Sequence, residues 1–189
     1  MSLPLADGSD AELVALALGG KQDAFRELMT RYREPVFRLV RATTGDPSEA
    51  LDLTQEVFIS AFFALHRFDT SRPLAVWLRK IALNKCRDWA RRRKVRSFFT
   101  RAAPLELAYS IAADVVPHDL AAADRAELAR VTAAIGNLPT RLREVLVLCA
   151  VDELTQADAA AVLGVTVKAV ETRLYRARVR LNEILANPM

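Results

Sequence analysis

Glycine, cysteine and histidine are all scarce in this chain, and each scarcity closes off a class of protein. Six glycines in 189 residues include no glycine-rich loop that could cradle phosphates. β-Branched alternation, the mark of half-buried strands, is almost absent. The two cysteines, Cys86 and Cys149, each sit in an apolar helical pattern in a different half. That argues against a disulfide framework and for a reducing compartment, with two buried free thiols as the simplest reading. His66 and His118 lie far from each other and from the cysteines in sequence, so no metal-ligand spacing exists. There is no Ser/His/Asp or Cys/His constellation, and the carboxylates are not suggestively paired. The expectation is a protein without catalysis or cofactor of its own. The N-terminus lacks a basic-then-apolar signal pattern, and no apolar run is long enough to span a bilayer. A cytoplasmic chain with no membrane contact of its own is expected.

Alanine, leucine and arginine are plentiful, which favours an all-α protein. The net charge of +4 and pI near 9.4 are modestly basic, and the distribution says more than the sum. Between positions 87 and 96, Arg87, Arg91, Arg92, Arg93, Lys94 and Arg96 face one acid, Asp88. Between 168 and 180, Lys168, Arg173, Arg176, Arg178 and Arg180 face Glu171. An acidic middle separates them. Two basic patches flanking an acidic stretch suggest two nucleic-acid contacts.

Along the chain, Ser9-Asp-Ala-Glu12 is a capping box that opens a helix to about Leu18, stopped by Gly19-Gly20. A longer helix is expected from Asp23 to about Thr43, with Pro35 kinking or restarting it. Gly45-Asp-Pro47 is a turn. A third helix runs from Ser48 to about His66, a loop covers 68–73, and a fourth helix runs from Leu74 to about Arg96. These four helices form one domain, 1–96. Residues 97–118 lack periodicity and contain Pro104 and Pro117, so they read as a linker, with a helical turn near 105–109. The second domain, 119–189, holds a helix from Asp119 to Ile135, a break at Asn137-Leu-Pro139, a helix to about Val151, and then two more.

Those last two, joined at Gly164-Val165, have the layout of a helix-turn-helix: a small apolar helix, then one loaded with arginine. Val167, Val170, Leu174, Ala177 and Leu181 should pack inward. Lys168, Thr172, Tyr175, Arg176 and Val179 are left on the opposite face, with Arg173 and Arg178 on its flanks, suited to phosphates and base edges. In the fourth helix Lys80, Asn84, Arg87 and Arg91 form a polar stripe at four-three-four spacing, opposite Leu78, Ile81, Ala82 and Trp89. In the third helix Leu53, Val57, Ala61, Ala64 and Leu65 make a core stripe, while Asp52, Glu56, Ile59 and Phe63 recur on another side. Either a partner covers that mixed face, or the domain buries Ile59 and Phe63 itself.

Together these residues resemble the bacterial sigma factors of the extracytoplasmic-function group. The resemblance rests on Asp23-Ala-Phe25, Asp52-Leu-Thr-Gln-Glu-Val-Phe58, Trp77-Leu78 with Ile81-Ala82, Asn84, Asp88 and Arg91-Arg92. Further on it rests on Leu138-Pro139, Arg143-Glu-Val-Leu146, Asp158, Ala160, Leu163-Gly-Val165, and Val170 with Arg173-Leu-Tyr-Arg-Ala-Arg178. It implies a four-helix region 2 domain and a helix-turn-helix region 4 domain. Asp52, Gln55, Glu56, Ile59 and Phe63 would bind the β′ clamp helices of core RNA polymerase, and region 4 the β flap. Phe68, Ser71, Arg72, Lys80, Asn84, Arg87, Arg91 and Arg92 would engage the opened minus-ten element of promoter DNA, with a base flipped into a pocket lined by residues 68–74. Lys168, Glu171, Thr172, Arg173, Tyr175, Arg176 and Arg178 would meet the minus-thirty-five duplex. The linker would thread the polymerase's active-site and RNA-exit path, and an anti-sigma factor would hold the chain inactive until a stress signal.

Two positions depart from the pattern. Pro73-Leu-Ala-Val precedes Trp77 where relatives usually carry Gly or Ser and Phe, and Glu171 stands where many carry Lys. The competing readings are a decoy that only binds an anti-sigma factor, a stand-alone helix-turn-helix regulator acting as a dimer on a palindrome, and a nucleic-acid enzyme. The last lacks a catalytic cluster.

Overall fold

The computed structural model of the chain describes residues 5–101 and 122–186. Among them there are eight α-helices and two short 3-10 turns, with no strand. The helical turn expected near 105–109 and the cap expected at Asp119 lie outside the described residues.

Helix α1 (Asp10–Leu18) begins at the predicted capping box: Glu12 N–H donates to Ser9 Oγ, and Ser9 N–H donates to Glu12 Oε2 at 2.8 Å. The Ser9 amide first, and then the Ser9 hydroxyl, which also donates to Glu12 Oε2, hold the Glu12 carboxyl below its ordinary range. Helix α2 (Gln22–Thr44) runs through Pro35 without interruption, so of the two expected effects of that proline the restart does not occur. Its buried face, Leu28, Val36, Leu39 and Val40, continues on both sides of the proline. Burial of that stripe, about 1.5–3 kcal/mol per large side chain, compensates for one missing helical hydrogen bond.

The Gly45-Asp46-Pro47 turn divides its labour by residue. Gly45 adopts the left-handed conformation (φ 72°) and closes α2, Asp46 caps α3 (Pro47–Ala64) by accepting from Ser48 and Glu49 N–H, and Pro47 takes the first helical position. A 3-10 turn (Leu65–Arg67) and a loop lead to α4 (Leu74–Arg101). This last helix runs five residues into the stretch expected as linker; the basic run after Asp88 continues its helical path.

The first four helices and the 3-10 turn before α4 bury Leu13, Val14, Leu39, Leu53, Val57, Leu65, Leu78, Ala82 and Leu83 in one core. Polar ties supplement it. Asp10 accepts from the Tyr32 hydroxyl and from Arg31, and Trp89 Nε1 donates to Glu49 Oε2 at 2.7 Å, joining α4 to α3.

In the second half, α5 (Ala122–Gly136) and α6 (Thr140–Ala150) precede α7 (Gln156–Leu163) and α8 (Val167–Ala186). Gly164 (φ 65°) closes α7 and makes the tight turn. Val145, Val147, Leu148, Val162, Val170, Leu174 and Ala177 form the buried side of this bundle. Val167, expected inside, is 42% exposed as the first residue of α8. The two halves touch: α4 packs on α7, and α2 on α5 and α6. Among the described residues no helix is long and apolar enough to cross a membrane.

Candidate nucleic-acid and protein interfaces

The face of α3 left over in the sequence is left over in space as well. Ile59 is 57% exposed and Phe63 71%, so the domain does not bury them under α1. They border a groove of about 590 Å³ between α2 and α3, floored by Phe25, Met29, Phe58 and Phe62 with Arg26 and Arg33 on its rim. Phe62 meets Phe25 edge-on at 5.0 Å and Phe63 at 5.6 Å. Asp52 and Gln55 are exposed, and Glu56 lies 3.4 Å from Lys85. Sequence spacing found Ile59 and Phe63 but missed Phe62, Phe25 and Met29, since the groove is made by two helices and no single-helix pattern contains it. Rings and aliphatic side chains held in water at this density suit an amphipathic partner.

The loop before α4 is held in a fixed shape. Asp69 accepts from Ser71 Oγ at 2.7 Å and from Ser71 N–H at 3.0 Å, and Arg72 pairs with it at 3.3 Å. The Ser71 hydroxyl, then its amide, then Arg72 lower the Asp69 pKa. Phe68 packs on Trp77 with ring centroids 5.1 Å apart, and Leu74 is buried beneath. Of the predicted loop residues, Ser71 and Arg72 are thus engaged locally by Asp69 and exposed.

On α4, Lys80, Asn84, Arg91 and Arg92 are exposed. Arg87 is not directed at solvent alone. It donates through Nε and Nη2 to both carboxylate oxygens of Glu144 on α6, at 2.6 and 2.8 Å, and through Nη1 to Asn84 Oδ1 at 3.0 Å. The hydrogen bonds to Glu144 raise the Arg87 pKa. Asn84, Arg87, Arg91 and Lys94 line a cleft of about 650 Å³ whose far wall includes Thr140 at the start of α6. The middle of the polar stripe therefore borders the second half of the molecule, a placement that spacing along one helix cannot reveal.

On α8, Lys168, Glu171, Thr172, Tyr175, Arg176 and Arg178 are exposed, and Arg173 half-buried on the flank. Tyr175 is 71% exposed although it is a large aromatic. Lys168 Nζ sits 3.0 Å from Glu171 Oε2. The helix offers guanidinium, phenol and hydroxyl groups on one exposed face, the side-chain types that meet phosphates and base edges in a major groove.

The fold and its surfaces define a two-part helical DNA-binding protein with an uncovered apolar docking face. Comparison with known sequences makes this specific. The pattern of Sigma-70 region 2 matches residues 28–96 and that of Sigma-70, region 4 matches residues 128–181. The chain is 41% identical over 182 residues to the RNA polymerase sigma factor CnrH of Cupriavidus metallidurans, covering 95% of both chains. It is 33% identical over 172 residues to the ECF RNA polymerase sigma factor SigW of Bacillus subtilis, covering 88% of this chain and 91% of that one. The structure of CnrH in complex with the cytosolic domain of CnrY superimposes with a TM-score of 0.69 at 36% identity, over 95% of this chain and 99% of that chain. The chain belongs to the sigma-70 family of RNA polymerase sigma factors.

Proposed function

We propose that the chain is an alternative sigma factor of the extracytoplasmic-function group, working in the cytoplasm without catalytic activity or cofactor of its own. Residues 1–96 form its region 2 domain, 97–118 its linker and 119–189 its region 4 domain. Asp52, Gln55, Glu56, Ile59 and Phe63 dock on the β′ clamp helices of core polymerase. The 68–74 loop and the stripe Lys80, Asn84, Arg87, Arg91 and Arg92 take the melted minus-ten strand. Helix α8 reads the minus-thirty-five duplex through Lys168, Glu171, Thr172, Arg173, Tyr175, Arg176 and Arg178, while its domain rests on the β flap.

The observation that carries this reading is the coexistence, on one chain, of the wet apolar groove between α2 and α3 with two separate cationic helix faces. A stand-alone regulator has no use for the groove, and a decoy has none for the cationic faces. An anti-sigma factor is the natural second partner. The solved relative CnrH carries a second protein, the cytosolic domain of CnrY, and an uncovered groove needs a cover when polymerase is absent.

The test is to add the purified chain to core polymerase with a promoter library and map start sites. Specific initiation supports the assignment. Polymerase-independent binding to a palindrome indicates a regulator, and failure to join polymerase after removal of any bound inhibitor rejects it.

A further inference from the structure

We infer that Trp89 is a positioning residue for DNA: it holds Arg93 ready for a backbone phosphate of paired DNA, on the side of α4 away from the stripe proposed for the melted strand. Trp89 is 5% exposed, and its Nε1 donates to Glu49 Oε2 on α3 at 2.7 Å. Burial and that hydrogen bond fix the plane of the indole. One helical turn further on, the Arg93 guanidinium carbon lies 5.1 Å from the centre of the Trp89 ring. Arg93 itself is exposed. Arg91, by contrast, pairs with the Asp88 carboxylate on its own helix. A ring face attracts a guanidinium and leaves its charge intact, where a carboxylate cancels it.

Two properties suit this arrangement to DNA. The first is order. An arginine gives up much rotamer freedom when it grips a phosphate. A guanidinium already resting on a fixed ring has given up part of that freedom beforehand, so less is lost on binding. Keeping Arg93 beside Arg91, Arg92 and Lys94 also costs the free chain like-charge repulsion, which a phosphate relieves.

The second is direction. Arg93 follows Arg91 by two residues and Arg87 by six, which turns it about 200° and 240° from them around the helix axis. It therefore stands on the α3 side of α4, beside Trp89 and Glu49. A melted strand offers one backbone and meets one side of the helix. Cations on opposite sides of a helix about 10–12 Å across reach the two backbones bordering a major groove about 12 Å wide. The phosphate for Arg93 thus belongs to duplex, next to the opened stretch. This placement rests on the proposed minus-ten role of the stripe, and the two are tested by different variants.

The test uses core polymerase joined to the full chain and DNA from a promoter found by start-site mapping. One probe is a fork, the minus-ten strand with its upstream paired segment; the other is that strand alone. Both lack the minus-thirty-five element, which leaves α8 out of the comparison. Fluorescence anisotropy is read across a range of salt, after circular dichroism has shown each variant to be folded. Arg93→Ala should bind the fork about fivefold more weakly, with a salt slope smaller by about 0.9, and bind the single strand within about twofold of wild type. Trp89→Leu should weaken fork binding by about two- to fivefold, and should add nothing in the Arg93→Ala background. Trp89→Phe keeps a ring under Arg93 and should restore fork binding. Arg93→Lys leaves the core untouched; it should keep the wild-type slope and still lose about two- to fivefold, because an ammonium lacks the plane that stacks.

An unchanged fork affinity and slope in Arg93→Ala overturns the phosphate contact. An equal loss on the single strand overturns its assignment to duplex. Additive losses in the double variant, or wild-type binding by Arg93→Lys, overturn positioning by Trp89. Arg91→Ala checks the stripe separately: full binding of the single strand by that variant counts against the minus-ten reading, whatever Arg93→Ala shows on the fork.

Discussion

Lys168 and Glu171 form an ion pair within the exposed face of α8, 3.0 Å apart and one helical turn from each other. The carboxylate stands at a position where a cation would favour phosphate, and it also ties up the neighbouring ammonium. Such a group lowers general affinity for DNA and can accept from a cytosine amino group.

Replacing Glu171 by Lys therefore should do two things. It should release Lys168 and raise duplex affinity with a steeper salt dependence, by roughly one to two units of slope. It should also change the selected minus-thirty-five sequence. Binding-site selection on wild type and Glu171→Lys checks this; identical sequence preferences reject a reading role for the carboxylate.

Arg176 is exposed on the same face and makes no contribution to the core. Arg176→Ala should lower affinity for minus-thirty-five DNA by about 1–3 kcal/mol while leaving affinity for core polymerase within twofold or so. Fluorescence anisotropy with each partner in turn measures the two effects, and equal losses would remove Arg176 from the DNA-reading set.

Phe63 stands 71% exposed beside the α2–α3 groove. Phe63→Ala should change unfolding free energy by no more than about 0.5 kcal/mol, as surface substitutions do. Co-purification with core polymerase should fall at least tenfold, a loss of about 1.4 kcal/mol. Glu56→Arg should act in the same direction, and it also sets two cations against each other at Lys85. Undiminished polymerase binding in both variants would move the docking surface elsewhere.

Glu153, in the turn between α6 and α7, has φ of 54°, a left-handed conformation that costs a side chain with a Cβ about 1 kcal/mol. Glu153→Gly should stabilise the chain by roughly 0.4–1 kcal/mol, less the entropy glycine adds to the unfolded chain. A urea midpoint that fails to rise would mean Glu153 earns its conformation through contacts.

Cys86 is buried, and burial first, then the Glu144 charge, push its thiol up to about 12. The unfolded thiol ionises near 8.5. A group whose folded pKa is raised contributes its stability fully below the unfolded value and loses it as pH climbs toward the folded one. Unfolding free energy should therefore decline between about pH 8.5 and 12, and the decline should be shallower in Cys86→Ala. Tyr32, also raised chiefly by burial, adds to the alkaline loss in both proteins, so the comparison of slopes isolates the thiol. Parallel slopes would contradict the burial argument.

Local signals were legible along the chain wherever a short-range rule decides the outcome. The capping box at Ser9 and Glu12, the stop at Gly19, the turn at Gly164, the buried stripe of α3 and, Val167 apart, that of α8 follow from spacings of three or four residues. The exposed pair Ile59 and Phe63 was visible as surplus, though not whether the fold would absorb it. What spacing could not supply were relations between helices. The groove needed Phe25 and Met29 from α2, and Arg87 found Glu144, 57 positions away. Pro35 does not restart its helix, because tertiary burial on both sides of it outweighs one absent hydrogen bond.

The paired rings of Phe62 and Phe63 also set how much of this protein can safely exist at once. Water-facing aromatics stick to whatever apolar surface they meet, including those of sister molecules, and collisions rise with the square of concentration. Supply in excess of the surfaces that shield those rings should end in clumping or proteolysis, so synthesis of the chain has to keep pace with its keepers.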